Sequence, residues 1–187
     1  MKYRQWRRGL ERAAERAALE AAGIPPLPAL VLSARGIDTP EKARAFLSCG
    51  RERLADPFLL RDMDRAVERI QLALTRGETV SVYGDYDVDG ITSTCLLTSY
   101  LRERGCRVIP HIPDRMEEGY GVGRVALAAL AEQGVTLVVT VDCGITAVEE
   151  TAYAAQLGMD LVITDHHECK EVLPAAVAVV DPRREDC

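Results

Sequence analysis

The sequence predicts an α/β protein: a Rossmann-like parallel sheet of about five strands flanked by helices, preceded by a short helical N-terminal segment. Three observations predict it. From Thr79 onward, short β-branched runs alternate with helical stretches, the pattern of successive βαβ units. Before Thr79 the apolar residues recur at helical spacing. Acidic clusters follow the apolar runs rather than interrupt them, as expected where ligands gather outside the carboxyl ends of parallel strands. On this pattern the chain divides into a helical segment over residues 1–60 and an α/β domain over residues 61–187.

The N-terminal segment opens with an amphipathic stretch, Trp6 to Ala22, closed by Gly23 and the Pro25-Pro26 break. A second helix starts at Thr39, with Pro40 at its first position, and runs to about Phe46 before Ser48-Cys49-Gly50 ends it. After the Asp56-Pro57-Phe58 turn, Met63, Ala66, Val67, Ile70 and Leu74 fall at helical spacing among charged residues, so a third helix leads into the core. The predicted strands are Thr79 to Tyr83, Arg107 to Ile112, Thr136 to Val141, Asp160 to Thr164 and Val177 to Val180. Helices over Ile91 to Arg104, Gly123 to Gln133 and Ala147 to Leu157 connect them.

At 187 residues, with 48% hydrophobic and 28% charged content, the chain has the composition of a soluble globular protein able to bury a sizeable core. No apolar run approaches the roughly 20 residues a membrane span needs, and no signal-type apolar stretch follows the basic N-terminus. A cytoplasmic location without a membrane partner is expected. The six cysteines show no C-x-x-C pair, so reduced thiols fit better than a zinc knuckle or a disulfide framework, and the cysteines and methionines are expected in the core. The net charge of −6 speaks against a nucleic-acid partner, yet several of the acids belong to a candidate cation site, where bound ions reverse the local sign. Basic residues also cluster at Lys2, Arg4, Arg7 and Arg8, and again at Arg102, Arg104 and Arg107. Arg7, Glu11 and Glu15 stand at i, i+4 spacing, which suits a solvated helical face for the first cluster.

Four motifs carry the chemistry. In Gly84-Asp85-Tyr86-Asp87-Val88-Asp89-Gly90, three carboxylates at alternate positions repel one another unless a cation joins them. A calcium loop also uses this spacing, but its bidentate Glu would fall at Leu96, inside an apolar helix. The bland alternative is an Asp-rich N-cap. Thr92 and Ser93 lie in the first turns of the following helix, whose free N–H groups suit a phosphate. Asp142 stands at the end of an apolar strand, where it either caps the next helix or joins Asp85 at one edge. Two imidazoles, His166 and His167, follow Asp165; a lone His is more often structural, whereas this pair favours a ligand plus a phosphate-contacting or supporting partner, with Asp165 orienting one ring. In Ile112 to Tyr120, Arg115 suits a phosphate and Tyr120 a stacked base, and an exposed loop pairing Arg115 with Glu117 or Glu118 fits equally.

Together these motifs resemble the DHH phosphoesterase superfamily and, within it, the RecJ-type exonucleases. Val82 to Thr94, Ile112 to Gly121, Val141 to Ile145 and the Asp165-His166-His167 triplet carry the resemblance. Arg35-Gly36-Ile37-Asp38-Thr39-Pro40, Leu54 to Phe58 and Val180-Asp181-Pro182 extend it over nearly the whole chain. The resemblance implies a metal-dependent, single-strand-specific 5′→3′ exonuclease of DNA repair and recombination, with Mn²⁺ or Mg²⁺ at a two-metal site. Asp85, Asp87, Asp89, Asp142 and His166 would be metal residues, Asp87 and Asp142 would also be catalytic, and His167 would contact the scissile phosphate. Arg115, Tyr120, Thr92 and Ser93 would face the substrate. Single-stranded DNA is the implied partner, with single-strand-binding protein and a helicase as further family expectations.

Proteins of this family continue with another metal-binding Asp, a DHH-associated domain and an OB-fold, and Asp181 lies too close to the triplet to match that Asp. The α/β domain is therefore expected to be incomplete at its C-terminal end and poorly active in this form. Two further readings keep the fold: a phosphodiesterase for short oligoribonucleotides, cyclic dinucleotides or pyrophosphate, and a non-catalytic scaffold.

Overall fold

Val80, Val82 and Tyr83 are buried, and the strand that carries them, β1 (Thr79–Gly84), has a parallel neighbour on each side. The computed structural model describes residues 12–48, 50, 54–116 and 119–187. They fall into two units, residues 1–54 and 55–187, each with its own apolar core.

In the first unit, α1 (Ala13–Ala21), α2 (Pro26–Ala34) and α3 (Pro40–Leu47) enclose Leu19, Ile24, Ala29, Leu32 and Ala43. Thr39 caps α3 as expected, its hydroxyl accepting the Lys42 N–H at 3.3 Å. The expected helix start at Trp6, the basic cluster Lys2, Arg4, Arg7 and Arg8, and Cys49 lie outside the described residues. Helix α2 departs from the sequence reading, which placed a break at Pro25-Pro26 and no helix between it and Thr39. Pro26 and Pro28 sit in its first turn, where an N–H has no intrahelical acceptor to lose, so proline opens the helix rather than breaking it.

In the second unit, α4 (Met63–Arg76) leads into β1, followed by α5 (Val88–Glu103), β2 (Arg107–His111), α6 (Arg124–Glu132), β3 (Val135–Val141), α7 (Val148–Gln156), β4 (Asp160–Thr164) and β5 (Ala178–Val180). The sheet is parallel throughout, in the order β2-β1-β3-β4-β5. Side-chain alternation sorts its two faces. Val80, Val82, Leu137, Val139, Val162 and Val180 meet Ala66 and Ala73 of α4 and Leu101 of α5. Tyr83, Val138 and Leu161 meet Leu127 and Leu130 of α6 and Ala154 of α7. Each large aliphatic side chain buried this way contributes about 1.5–3 kcal/mol. Helices therefore cover both faces, which leaves the strand ends as the place for chemistry.

Strand order reverses at β1, since the chain leaves it for β2 on one side and later reaches β3 on the other. The crevice between the carboxyl ends of β1 and β3 is thus the switch point where open α/β sheets take ligands. Arg107 begins β2, and Arg102 and Arg104 lie at the end of α5 beside it, so that basic cluster is at the opposite edge of the sheet. Its members are engaged there: Arg102 donates to the Val108 carbonyl, and Arg104 lies over the Tyr100 ring. The expectation that all remaining cysteines and methionines are core is corrected. Cys143 and Met159 are buried, but Cys95, Cys187 and Met116 are exposed, Met116 at 90%, because each follows a turn or an outward helix position that no apolar neighbour covers. Among the described residues no helix is long and apolar enough to cross a membrane.

Candidate metal centre

Two glycines make the tight turn from β1 into α5 possible. A Cβ at Gly90 would stand 2.3 Å from the Asp85 carbonyl oxygen, and one at Gly84 would stand 2.8 Å from the Gly90 carbonyl oxygen. Backbone therefore packs on backbone here, and the acids on either side of the turn are drawn together. Asp85 is buried, and its Oδ1 accepts the Tyr86 N–H at 2.7 Å. Asp87 is the N-cap of α5: its Oδ1 accepts from the Asp89 and Gly90 N–H groups at 2.9 and 3.1 Å. The Gly90 N–H above all holds the Asp87 carboxyl below the ordinary carboxylate range. The expected helix start at Ile91 moves back by one turn, and the capping and the cation-ligand readings of this motif meet in one residue.

Asp142 follows β3 in a left-handed backbone conformation, with φ at 62°, which is unusual for any residue but glycine and concentrates at functional sites. It is 8% exposed. Its Oδ1 lies 2.8 Å from His166 Nε2, whereas its Oδ2 is buried with no hydrogen-bond partner. Burial, reinforced by the neighbouring Asp87 carboxylate, raises its proton affinity. An orphaned carboxylate oxygen beside another carboxylate is what a cation would satisfy. Ligand atoms of Asp85, Asp87 and Asp142 all lie within 4.8 Å of one another, and so do those of Asp142, His166 and His167. Asp142 belongs to both sets.

Asp165, after β4, is the hub behind the histidines. Its Oδ2 accepts the Ile145 N–H at 2.9 Å, and its Oδ1 accepts from the His166 N–H at 2.7 Å, the His167 N–H at 3.2 Å and His167 Nδ1 at 2.7 Å. His167 Nδ1 thus faces the Asp165 carboxylate, and its Nε2 lies 3.5 Å from the Tyr120 hydroxyl. The hydrogen bond to Asp165 raises the proton affinity of His167. Beside Asp165, Asp181 follows β5 fully buried, with Oδ1 taking the Arg183 N–H and Oδ2 lacking a partner. Asp165 holds a histidine ring, the role the sequence indicated, whereas its contact with the Ile145 N–H and the burial of Asp181 escape sequence reasoning, because each depends on which segments pack beside β4.

The remaining predicted residues line the walls. Asp89, in the first turn of α5, is exposed and outside both donor sets, and with Thr92 and Ser93 it lines a recess of about 440 Å³ that also touches Asp142 and His166. The Thr92 hydroxyl donates within its own helix, to the Val88 carbonyl at 2.7 Å. On the other side Arg115 lies 5.1 Å over the Tyr86 ring, Tyr86 meets Tyr120 edge-on at 6.3 Å, and Tyr120 meets His167 edge-on at 6.0 Å. Tyr86 thus joins an aromatic wall whose other members the sequence indicated. Glu117 and Glu118, the alternative partners for Arg115, lie outside the described residues.

Residues 79–187 match the DHH family, N-terminal domain. The chain is 43% identical over 168 residues to the single-stranded-DNA-specific exonuclease RecJ of Bacillus subtilis (strain 168), covering 90% of this chain and 21% of that protein. A crystal structure of exonuclease RecJ bound to manganese superimposes with a TM-score of 0.65 at 35% identity, over 71% of this chain and 34% of that one. RecJ from Thermus thermophilus in complex with Mn²⁺ does so with a TM-score of 0.66 at 28% identity, over 93% of this chain and 24% of that one. The chain spans about a fifth to a third of the length of the curated relatives named RecJ that it matches.

Proposed function

Because the chain belongs to the DHH family, we propose that its strand-end cluster is a two-cation centre that hydrolyses phosphodiester bonds in single-stranded DNA, as a 5′→3′ exonuclease. One observation carries the reading: Asp142 is shared between the Asp85–Asp87 set and the His166–His167 set, and its buried Oδ2 has no hydrogen-bond partner. Carboxylate and imidazole donors of this kind suit Mn²⁺ or Mg²⁺. Bound there, such cations would neutralise phosphate charge and supply an activated water.

The chain's own residues have separable tasks. Asp85, Asp87 and Asp142 hold the cations with His166, and the two N–H groups that fix one oxygen of Asp87 leave the other for a ligand. His167, held at Nδ1 by Asp165 and with Nε2 beside the Tyr120 hydroxyl, stands at the aromatic wall, and its raised proton affinity suits an imidazolium that donates to a phosphate oxygen. Arg115 and the Tyr86–Tyr120 wall offer a guanidinium for phosphate and ring faces for bases. Asp89, Thr92 and Ser93 in the recess complete the substrate-facing surface. A cytoplasmic setting in DNA repair and recombination, beside a single-strand-binding protein and a helicase, belongs to the same proposal and rests on the family resemblance.

The test is a 5′-labelled single-stranded oligonucleotide incubated with Mn²⁺ and the chain, alone and within the longest reading frame that contains it. Release of labelled mononucleotide, abolished in Asp142→Asn and absent with duplex, is expected. Cleavage only of short oligoribonucleotides, cyclic dinucleotides or pyrophosphate would assign the site to another substrate. Metal binding without hydrolysis of any of these would leave a scaffold.

A further inference from the structure

Tyr83 is fully buried in β1, yet its hydroxyl reaches the backbone of the loop that carries Arg115 and Tyr120. The phenol donates to the Gly121 carbonyl at 3.2 Å and accepts the Gly123 N–H at 3.1 Å. Its ring packs on the His111 imidazole, with centroids 4.6 Å apart. His111 is the last residue of β2, where the loop leaves the sheet, and Gly123 is the N-cap of α6, where the loop ends. One side chain therefore touches both stems.

Near the α6 stem the chain has little backbone preference of its own. Tyr120 is flanked by Gly119 and Gly121, both left-handed with φ near 82° and 87°, so its place depends on contacts rather than on intrinsic torsion. Those contacts are to the Tyr86 and His167 rings, with the Tyr120 hydroxyl 3.4 Å from His167 Nδ1. We infer that Tyr83 is the positioning residue of this loop: by clamping His111 at one stem and Gly121 and Gly123 at the other, it holds Tyr120 against His167 and Arg115 over Tyr86. It touches no candidate cation ligand through its hydroxyl, so it acts on substrate placement and not on metal binding. The substrate arm of this inference rests on the proposed exonuclease reading; the loop arm does not.

Tyr83→Phe in the 187-residue chain keeps the ring and its His111 contact and removes both hydrogen bonds. Amide exchange at Tyr120 to Gly123 should speed up at least tenfold while β1 and β3 amides keep their protection, and Mn²⁺ affinity should stay within twofold of wild type. Fluorescence anisotropy with a labelled oligo-dT should show several-fold weaker binding in Tyr83→Phe and in Tyr120→Ala, with no further loss in the double variant. Unchanged loop exchange would overturn the clamp. Losses that multiply in the double variant would show that Tyr83 does not act through Tyr120. If wild type binds no oligo-dT, the substrate reading fails while the exchange result still decides the clamp. Should Tyr83→Phe unfold, His111→Ala opens the other stem, and exchange from Ile112 to Arg115 must then rise for the inference to hold.

Discussion

His166 Nε2 stands 2.8 Å from Asp142 Oδ1, while the other oxygen of Asp142 is buried without a hydrogen-bond partner. The two residues lie at the ends of adjacent strands, β3 and β4, and 24 positions apart in sequence. One carboxylate thus faces an imidazole on one side and the Asp85–Asp87 pair on the other, and what it binds decides whether the cluster is cohesive or repulsive.

Removing a shared ligand should cost more than removing a peripheral one. Asp142→Asn and Asp87→Asn are each expected to weaken Mn²⁺ binding at least tenfold, about 1.4 kcal/mol, whereas Asp89→Asn, outside both donor sets, should change it less. Calorimetric titration of the three variants reads this directly, and unchanged affinity in the first two would dispose of the site.

The two histidines should separate binding from turnover. His166→Ala should lose metal and rate together, since its Nε2 already lies against Asp142. His167→Ala should lose rate by far more than metal, because Asp165 holds Nδ1 and Nε2 stands beside Tyr120 of the aromatic wall. Metal content and single-turnover rates measured side by side would show the assignment reversed if the second variant lost both in parallel.

Gly90→Ala should be strongly destabilising although it adds one methyl group. The new Cβ would meet Asp85 backbone atoms at 2.3–2.6 Å, and backbone cannot swing aside as a flexible side chain can. Overpacking of this kind costs about 1–3 kcal/mol or more, to be read as a fall in the urea midpoint. A variant as stable as wild type, with Mn²⁺ affinity intact, would mean the turn has room that the geometry denies.

Acid stability should depend on Asp62. This residue, at the start of α4, accepts the Val179 N–H at 3.3 Å and Arg184 Nη1 at 2.8 Å, tying α4 to the edge strand β5. Burial works against its charge, yet the Arg184 guanidinium and the Val179 N–H outweigh it and hold the carboxyl below its ordinary value of 3.8. A depressed carboxylate contributes stability that is full above the unfolded value and is lost as pH falls through the folded one. Unfolding free energy should therefore drop below about pH 3.8 in wild type and less steeply in Asp62→Asn, which should already be weaker at pH 7 by about 1.5–3 kcal/mol, as for a lost hydrogen bond to a charged group. Parallel pH curves for the two proteins would remove Asp62 from the acid limb.

The sequence by itself determined the alternation of elements from Thr79 onward and the address of the acids. Periodicity is a local property, and in a parallel sheet every strand points the same way, so Asp85, Asp142 and Asp165, each following an apolar run, had to reach one edge. A cap on α5 was only an alternative reading of the acidic motif, and the structure places it at Asp87, within three residues of the N–H groups it accepts. Only the tertiary structure decided which acids meet. Strand order puts β3 beside β1 and β4 beside β3, so Asp142 joins Asp87 and His166, whereas Asp89, equal to its neighbours in the motif, turns out along α5. The same holds for Asp165 taking the Ile145 N–H 20 positions away, for Tyr83 reaching the loop 38 and 40 positions away, and for α2 beginning on prolines that looked like a break. Local pattern fixes what a segment is and which way it runs; which side chains share a few ångströms depends on packing between segments distant in the chain.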